Sequence, residues 1–399
     1  MLIAETMLGK PISLYLAQHN SPFINLLRKQ QLRCPSCKST VLVKSGQKVI
    51  PHFAHKSKAA CSGFSENESI FHLYAKTELN RWLSFQSLHT ELEKTYPQIN
   101  RRADISVKLK SNEYAVEFQC SPISSELQHA RSSDYRQIGV IPFWILPAEL
   151  VKKEKLIKLT AFYQQFIRYS QTANQFYLIT YSPEKQSFTI YHHLMPLSKT
   201  FFCTDYTTYP QKTVHFPSFP VSSFKMTEQT YQLQIKMNEK WLINIFKYRK
   251  SVRDPLLRKL YENNLSLFEV PVWVGLPLKS NIYFADSPME WQFYLYLKIK
   301  KSKVFAQQQL VYELKQLIYK RVLTVRRLME PAPFNFVEIA VEEMLHLLLQ
   351  CHVIQKEGNR FSVHSTETGR EIDAQNRKEH IEVFYRKMKV KIIQEYNRR

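Results

Sequence analysis

The sequence predicts a mixed α/β protein built around the stretch from Ser65 to Leu146, which alternates helix, strand, strand, helix, strand. Three observations predict it. SENESIFHLYAKTELNRWL is charged and amphipathic at helical period, RRADISV and YAVEFQCSP have strand patterns, and VIPFWILP is a short run apolar on both faces. The two middle strands each carry a carboxylate, Asp104 and Glu117, where a hairpin could bring them together. Paired acids beside a basic surface point to a divalent cation and a phosphodiester.

Composition bounds the class. A chain of 399 residues suits roughly two or three domains, and 44% hydrophobic residues is enough to bury real cores. The 56 Lys and Arg outweigh 34 Asp and Glu to leave a net +22, which favours a polyanionic partner, nucleic acid first and an acidic membrane surface second. The 22 Tyr and 25 Phe would serve base stacking on single-stranded DNA as well as ordinary cores. The N-terminal sequence lacks the pattern of a secretory leader, and no stretch has the apolar length of a bilayer crossing, so a cytoplasmic protein without membrane insertion is expected. Cys34, Cys37 and Cys61 cluster while Cys120, Cys203 and Cys351 are scattered, unlike a secreted disulfide framework. Neither a P-loop nor a serine elbow occurs in the sequence, so an ATP motor is not expected.

Residues 1–62 read as a zinc-binding β segment. Short strands flank a turn at Gly9 and Lys10, a helical piece lies near FINLLRKQ, and VLVKSGQKVI is a hairpin. Cys34 and Cys37 form a C-x2-C knuckle whose spacing suits a tetrahedral zinc. The second pair of ligands is His55 with Cys61, or His52 with His55; the first is favoured because His52 and His55 on one strand point to opposite faces. Four protein ligands would leave no open position, so this zinc would be structural.

Residues 63–150 carry the acids. Ser65 and Glu68 match a capping box at the start of the first helix. Glu68, His72 and Lys76 recur along one side of that helix, which on periodicity alone reads as a solvated face and otherwise as one wall of a site. Asp104 opens DISVKL, and Glu117 and Gln119 share one face of YAVEFQ, with Val116 and Phe118 facing the core. A glutamate amid apolar residues must be paired, protonated or on a metal; pairing with Arg101, Arg102 or Arg131 is the plain alternative. SSELQHARSSDYRQIG is a helix capped by Ser124 or Ser125 and stopped at Gly139, with His129, Arg131, Tyr135 and Arg136 on a basic side able to touch phosphates.

Residues 151–399 read as mainly helical and basic, with room for two subdomains. LIKLTAFYQQFIRYS looks like an amphipathic helix, QFYLITYSPEKQSFTIYHHL like a hairpin, residues 203 to 223 like a connector, and FEVPVWVGLPL like a short strand between prolines. The end has the outline of a helix, a hairpin and a basic helix, as in a winged-helix module. Lys298, Lys300, Lys301 and Lys303, then Lys320, Arg321, Arg326 and Arg327, form basic clusters open to nucleic acid.

In this order and spacing, CPSC, PHFAH, SENESIFHLYAK, RRADI, EFQ and FWIL resemble the CoiA family of competence proteins, well over roughly the first 150 residues. The resemblance implies a PD-(D/E)XK nuclease-like core, a zinc-binding N-terminal segment, catalytic Mg2+ or Mn2+, and a role in competence acting on incoming DNA, alongside recombination proteins. It implies that Glu68 is the helix acid and Asp104 the first strand acid. Glu117 and Gln119 then form an E-x-Q version of the (D/E)-x-K element, and Arg102, Arg131 and Tyr135 contact DNA. Glutamine replaces the usual lysine. Either Lys76 supplies the charge, or the metal carries the whole role, or chemistry is weak or lost. The resulting expectations are a metal-dependent deoxyribonuclease or, alternatively, an inactive DNA-binding platform.

Overall fold

A computed structural model describes residues 1–15, 17–19, 21–46, 49–56, 68–223, 225–248, 254–364 and 375–398. The chain divides into two units. The first holds Met1–Lys152, Ile179–Ile190 and Thr207–Pro220, and the second Lys153–Leu178, Tyr191–Tyr206 and Val221–Arg399.

The first unit opens with β1 (Ile3–Thr6), β2 (Pro11–Ser13), α1 (Pro22–Arg28), β3 (Leu32–Arg33), β4 (Thr40–Gly46) and β5 (Val49–His55). The strands form an antiparallel sheet in the order β2-β1-β3-β4-β5. Gly9, at φ +80°, makes the first turn as expected, because that left-handed conformation strains any residue with a Cβ. Ser21 caps α1 by accepting from the Ile24 amide, and Pro22 suits a first helical position, whose N–H has no partner within the helix. Ile24, Leu27, Leu32, Val41 and Phe53 fill a small core under this sheet.

Then follow α2 (Ile70–Phe85), β6 (His89–Leu92), β7 (Thr95–Tyr96), β8 (Arg101–Arg102), β9 (Ile105–Leu109), β10 (Asn112–Phe118), α3 (Ser125–Gln137) and β11 (Val140–Pro147). The helix–strand–strand–helix–strand order read from sequence is present, with β6 as an added antiparallel edge on β9. β9 and β10 form the hairpin, with Val116 opposite Ile105. β11 runs parallel to β10, a pairing that needs a crossover, and α3 supplies it. Being covered on both faces, β10 and β11 are almost wholly buried, hence the unbroken apolar run of VIPFWILP. Beyond β11 the order continues through residues 179–182, 187–190 and 207–210. Trp82 anchors α2 there: its ring lies 4.6 Å from that of Phe188, and its indole N–H donates to the Val214 carbonyl.

Two sequence expectations change in this unit. The first helix begins at Ile70, where Ser69 caps the His72 amide, so Glu68 precedes the helix; Ser65 lies outside the described residues. Lys76 has no exposed surface, which overturns the solvated-face reading of its row.

The second unit also departs from a mainly helical reading. LIKLTAFYQQFIRYS is a strand (Leu156–Lys158), one helical turn (Ala161–Gln164) and a strand (Arg168–Ser170). Its apolar spacing is compatible with a helix, but Leu156–Lys158 pairs with residues 201–203 instead. Phe201–Pro210, most of which overlaps the connector expected from residue 203, is a strand; its Thr and Tyr residues favour a pleated backbone despite their polarity. FEVPVWVGLPL forms no strand. Gly275 sits at φ +89°, and side-chain amides replace a ladder partner: Gln292 accepts from the Gly275 and Leu276 amides, and Asn238 donates to the Gly275 carbonyl. The helix and hairpin outline near the end is present as Phe336–Gln350, Ile354–Glu357 and Arg360–Val363, with Val304–Ala306 completing the small sheet. Arg326 does not belong to a surface basic cluster: it is 2% exposed and donates to the Ile282 and Phe284 carbonyls.

Candidate functional site

The expected acids gather where the end of β10, the start of β9 and one side of α2 meet. Asp104 immediately precedes β9. Its Oδ2 accepts from the Phe118 amide at 2.9 Å and lies 2.9 Å from His72 Nε2. Four residues along α2, Lys76 extends into a cluster of carboxylates: its Nζ is 2.9 Å from Glu68 Oε1, 2.7 Å from Glu93 Oε1 and 3.7 Å from Asp104 Oδ1. Arg102 donates to Glu68 Oε1 at 2.9 Å and lies 3.9 Å from Glu93 Oε2. The backbone amides of Leu2 and Ile3 donate to the two oxygens of Glu93, and the Met1 nitrogen lies 3.0 Å from Glu68 Oε2.

This arrangement sets the charges. Burial disfavours ionisation of Glu68, Glu93 and Asp104, yet the cations around them outweigh it and hold all three below the ordinary carboxylate range. Burial also opposes the positive charge of Lys76, but Glu68, Glu93 and Asp104 hold its proton more tightly than in water. For His72, burial is again overcome, here by the charge and hydrogen bond of Asp104, and its pKa is raised. Three carboxylates thus face Lys76, Arg102 and a His72 that protonates readily.

Glu117 has different company. It is 2% exposed; Arg131 donates to its Oε2 at 2.8 Å and Tyr135 to its Oε1 at 2.6 Å. The Arg131 guanidinium also lies 4.9 Å from the Trp144 ring. Burial, with the charge of Asp104 added, outweighs Arg131 and pushes the Glu117 carboxyl up to about 7. The side chain of Gln119 is turned to the Ser121 carbonyl at 2.8 Å. Glu68, Lys76 and Asp104 are therefore in one network with Arg102, while Glu117 interacts with Arg131 and Tyr135 and feels Asp104 through its charge.

Donor atoms of Glu68, His72 and Asp104 all lie within 4.8 Å of one another. One imidazole and two carboxylates suit Mn2+ better than Mg2+, which keeps to oxygen donors. To enter, a cation would compete with the Lys76 ammonium and the His72 proton. Glu93 was not singled out from sequence, since it follows β6 in a turn with no periodicity to mark it. His72 lies in the row of Glu68 and Lys76, but periodicity alone assigns it no role.

A second donor group lies in the N-terminal sheet, where Cys34, Cys37 and His55 come within 4.8 Å of one another and Cys37 Sγ is 3.2 Å from His55 Nε2. The knuckle is a tight turn in which the Lys38 amide donates to the Cys34 carbonyl and the Cys34 amide to the Ser39 carbonyl. In the ladder, His55 pairs with Val41 and His52 with Lys44. His52 Nδ1 rests on the Ile50 carbonyl at 2.8 Å, and His52 stands outside the donor group. Cys61 lies outside the described residues. Two thiols and an imidazole supply three of the four donors of a structural zinc.

Comparison with known proteins gives matches in three successive stretches. Residues 16–64 match the N-terminal domain of competence protein CoiA, residues 68–223 its nuclease-like domain, and residues 228–376 its C-terminal domain. The chain is also 30% identical over 281 residues to a protein named competence protein CoiA from Bacillus subtilis (strain 168), an alignment covering 68% of this chain and 72% of that relative. No solved structure matches the chain. Among the described residues, no helix is long and apolar enough to cross a membrane.

Proposed function

Since the chain belongs to the CoiA family of competence proteins and carries its nuclease-like domain, we propose that it is a metal-dependent deoxyribonuclease acting on incoming DNA in the cytoplasm during transformation. The observation that carries this reading is the convergence of Glu68, His72 and Asp104 donor atoms beside a fully buried lysine. Burying three carboxylates is costly; Lys76, Arg102 and His72 offset that cost and keep them ionised, and a cation would exchange with these groups.

In this reading Glu68, His72 and Asp104 hold Mn2+ or Mg2+, with Glu117 recruited once ionised. The bound cation supplies Lewis acidity and neutralises phosphate charge. Lys76 supplies positive charge that the motif glutamine cannot, acting from its buried position by holding Glu68 and Asp104 ionised. Phe118, through its amide, fixes Asp104, and Arg131 with Tyr135 fixes Glu117. Gln119 contributes by hydrogen bonding alone. Arg102 neutralises Glu68 and Glu93, so that the acids do not repel DNA. The N-terminal sheet holds a structural zinc through Cys34, Cys37, His55 and Cys61.

The alternative, a DNA-binding platform without catalysis, is favoured by one observation: both oxygens of Glu117 already have donors and Gln119 is turned to a backbone carbonyl. Incubation of the purified protein with end-labelled single- and double-stranded DNA, in Mn2+, Mg2+ or chelator, separates the two. Cation-dependent cleavage supports the enzyme. Salt-sensitive binding indifferent to metal, without cleavage, supports the platform.

A further inference from the structure

The second unit contains a cavity of about 350 Å³, within the size range of small-molecule sites. Nothing in the nuclease reading uses it. Its wall brings together two kinds of side chain, aromatic rings and unpaired polar groups.

One kind is aromatic. Tyr169, Phe176 and Tyr283 stand in succession along the lining, with ring centroids 5.1 and 5.7 Å apart. The rings are inclined to one another by 55° and 84°, so a planar ring entering the cavity would meet the face of one and the edges of its neighbours. The other kind is polar and unsatisfied. Among the described residues, Lys279 has no carboxylate at ion-pair distance and no hydrogen-bond partner, although it is only partly exposed. Burial lowers its pKa, with the more distant Glu343 opposing. Its neighbour Ser280 is 1% exposed, and the Ser280 hydroxyl oxygen also has no partner. A buried hydroxyl left unpaired is destabilising, so this pair of residues is open to completion by a bound polar group. Lys225 stands exposed on the same lining, also without a carboxylate at ion-pair distance.

The backbone adds a third observation. His193 lines the cavity from within a strand at φ +52°, a left-handed conformation that a residue with a Cβ adopts at a cost. Its Nε2 lies 3.1 Å from the Tyr396 hydroxyl, and burial keeps the ring neutral, with the Lys279 charge adding to that effect. Among the described lining residues the cations are Lys225, Lys279 and Arg398, the last paired with Glu395 at 2.9 Å, and the carboxylate is Glu343, whose Oε2 is occupied by the Ser280 amide.

We propose that this cavity is a binding site for a nucleoside monophosphate, either free or at the end of a DNA single strand, with the base against Tyr169, Phe176 and Tyr283 and the phosphate on Lys279, Ser280 and Lys225. The site requires neither a metal nor the acids of the first unit, so it stands or falls separately from the nuclease reading.

The test is equilibrium binding to the full chain in the presence of chelator, which removes hydrolysis from the measurement. The probes are thymidine 5′-monophosphate, thymidine, inorganic phosphate and a 5′-phosphorylated oligothymidylate. The nucleotide is expected to bind at least about tenfold more tightly than thymidine or phosphate alone, because each of those loses one half of the recognition. Lys279→Met and Lys225→Glu should each weaken it by roughly tenfold. Lys225 is exposed, so its variant reports on the site even if Lys279→Met impairs folding. Tighter binding of the oligonucleotide, lost in the same variants, identifies a strand end as the source; binding of the mononucleotide alone identifies the free nucleotide. The proposal is overturned if neither nucleotide probe binds, if phosphate alone binds as tightly as the nucleotide, or if both variants bind like the parent.

Discussion

The Lys76 ammonium lies 2.7 Å from Glu93 Oε1, with the lysine fully buried and the glutamate 1% exposed in its side chain. Removing one partner from such a pair strands the other, at a cost of about 3–5 kcal/mol. Lys76→Met should therefore destabilise the first unit by that order, measured by hydrogen exchange of the α2 amides in increasing urea. Because the variant leaves only Arg102, His72 and the Met1 nitrogen to offset Glu68, Glu93 and Asp104, Mn2+ should restore more stability to it than to the parent. A loss below about 1 kcal/mol would show that the network tolerates an open charge.

Asp104→Asn keeps an oxygen for the Phe118 amide while removing the negative charge, so the local fold should persist. Cleavage should fall by about 100-fold in this variant and in Glu68→Gln, with DNA affinity nearly unchanged. Full activity in both would refute the acid site.

Glu117 gives the site a pH response. Burial and the Asp104 charge push its carboxyl up to about 7, against Arg131 and the Tyr135 hydrogen bond, with the charge of His72 also lowering it. The ionised form needed for a cation grows as pH rises through that value, so cleavage should increase between about pH 6 and 8. The sign for stability is opposite: a raised carboxyl pKa means the folded state holds its proton longer than the unfolded chain, so stability declines as pH rises from about 4.5 to 7. Glu117→Gln should flatten that decline in pH-dependent urea unfolding; an unchanged profile would place the titration on another group.

The N-terminal sheet should carry one zinc per chain. Metal analysis of Cys34→Ser and His55→Ala should show its loss, whereas His52→Ala, altering a residue outside the donor group, should retain it. Retention of zinc in Cys34→Ser would sink the assignment.

How much of this was legible depended on whether a neighbour in sequence or a neighbour in space decided the outcome. The hairpin of β9 and β10, the α3 crossover and the buried β11 follow from local periodicity, and the structure contains them. Asp104, Glu68 and Lys76 were recognisable because strand and helix patterns place them near one edge. Glu93 was not, since its partners are residues 2, 3, 76 and 102, brought together only by tertiary folding. The stretch at Gly275 misled for a related reason: its amides are satisfied by Gln292 on a distant helix, and no pattern in the segment itself announces that.

Glu93 has a further consequence. It takes the Leu2 and Ile3 amides on its two oxygens and the Lys76 ammonium on one of them, so the first strand of the sheet that holds Cys34, Cys37 and His55 and the acid cluster share this carboxylate. If the proposed site acts in transformation, alleles with changes near the amino-terminal strand should mimic the phenotype of changes at Glu68 or Asp104 without touching DNA. Sorting such alleles will take a biochemical readout of lysine placement, because genetics alone will score them as the same lesion.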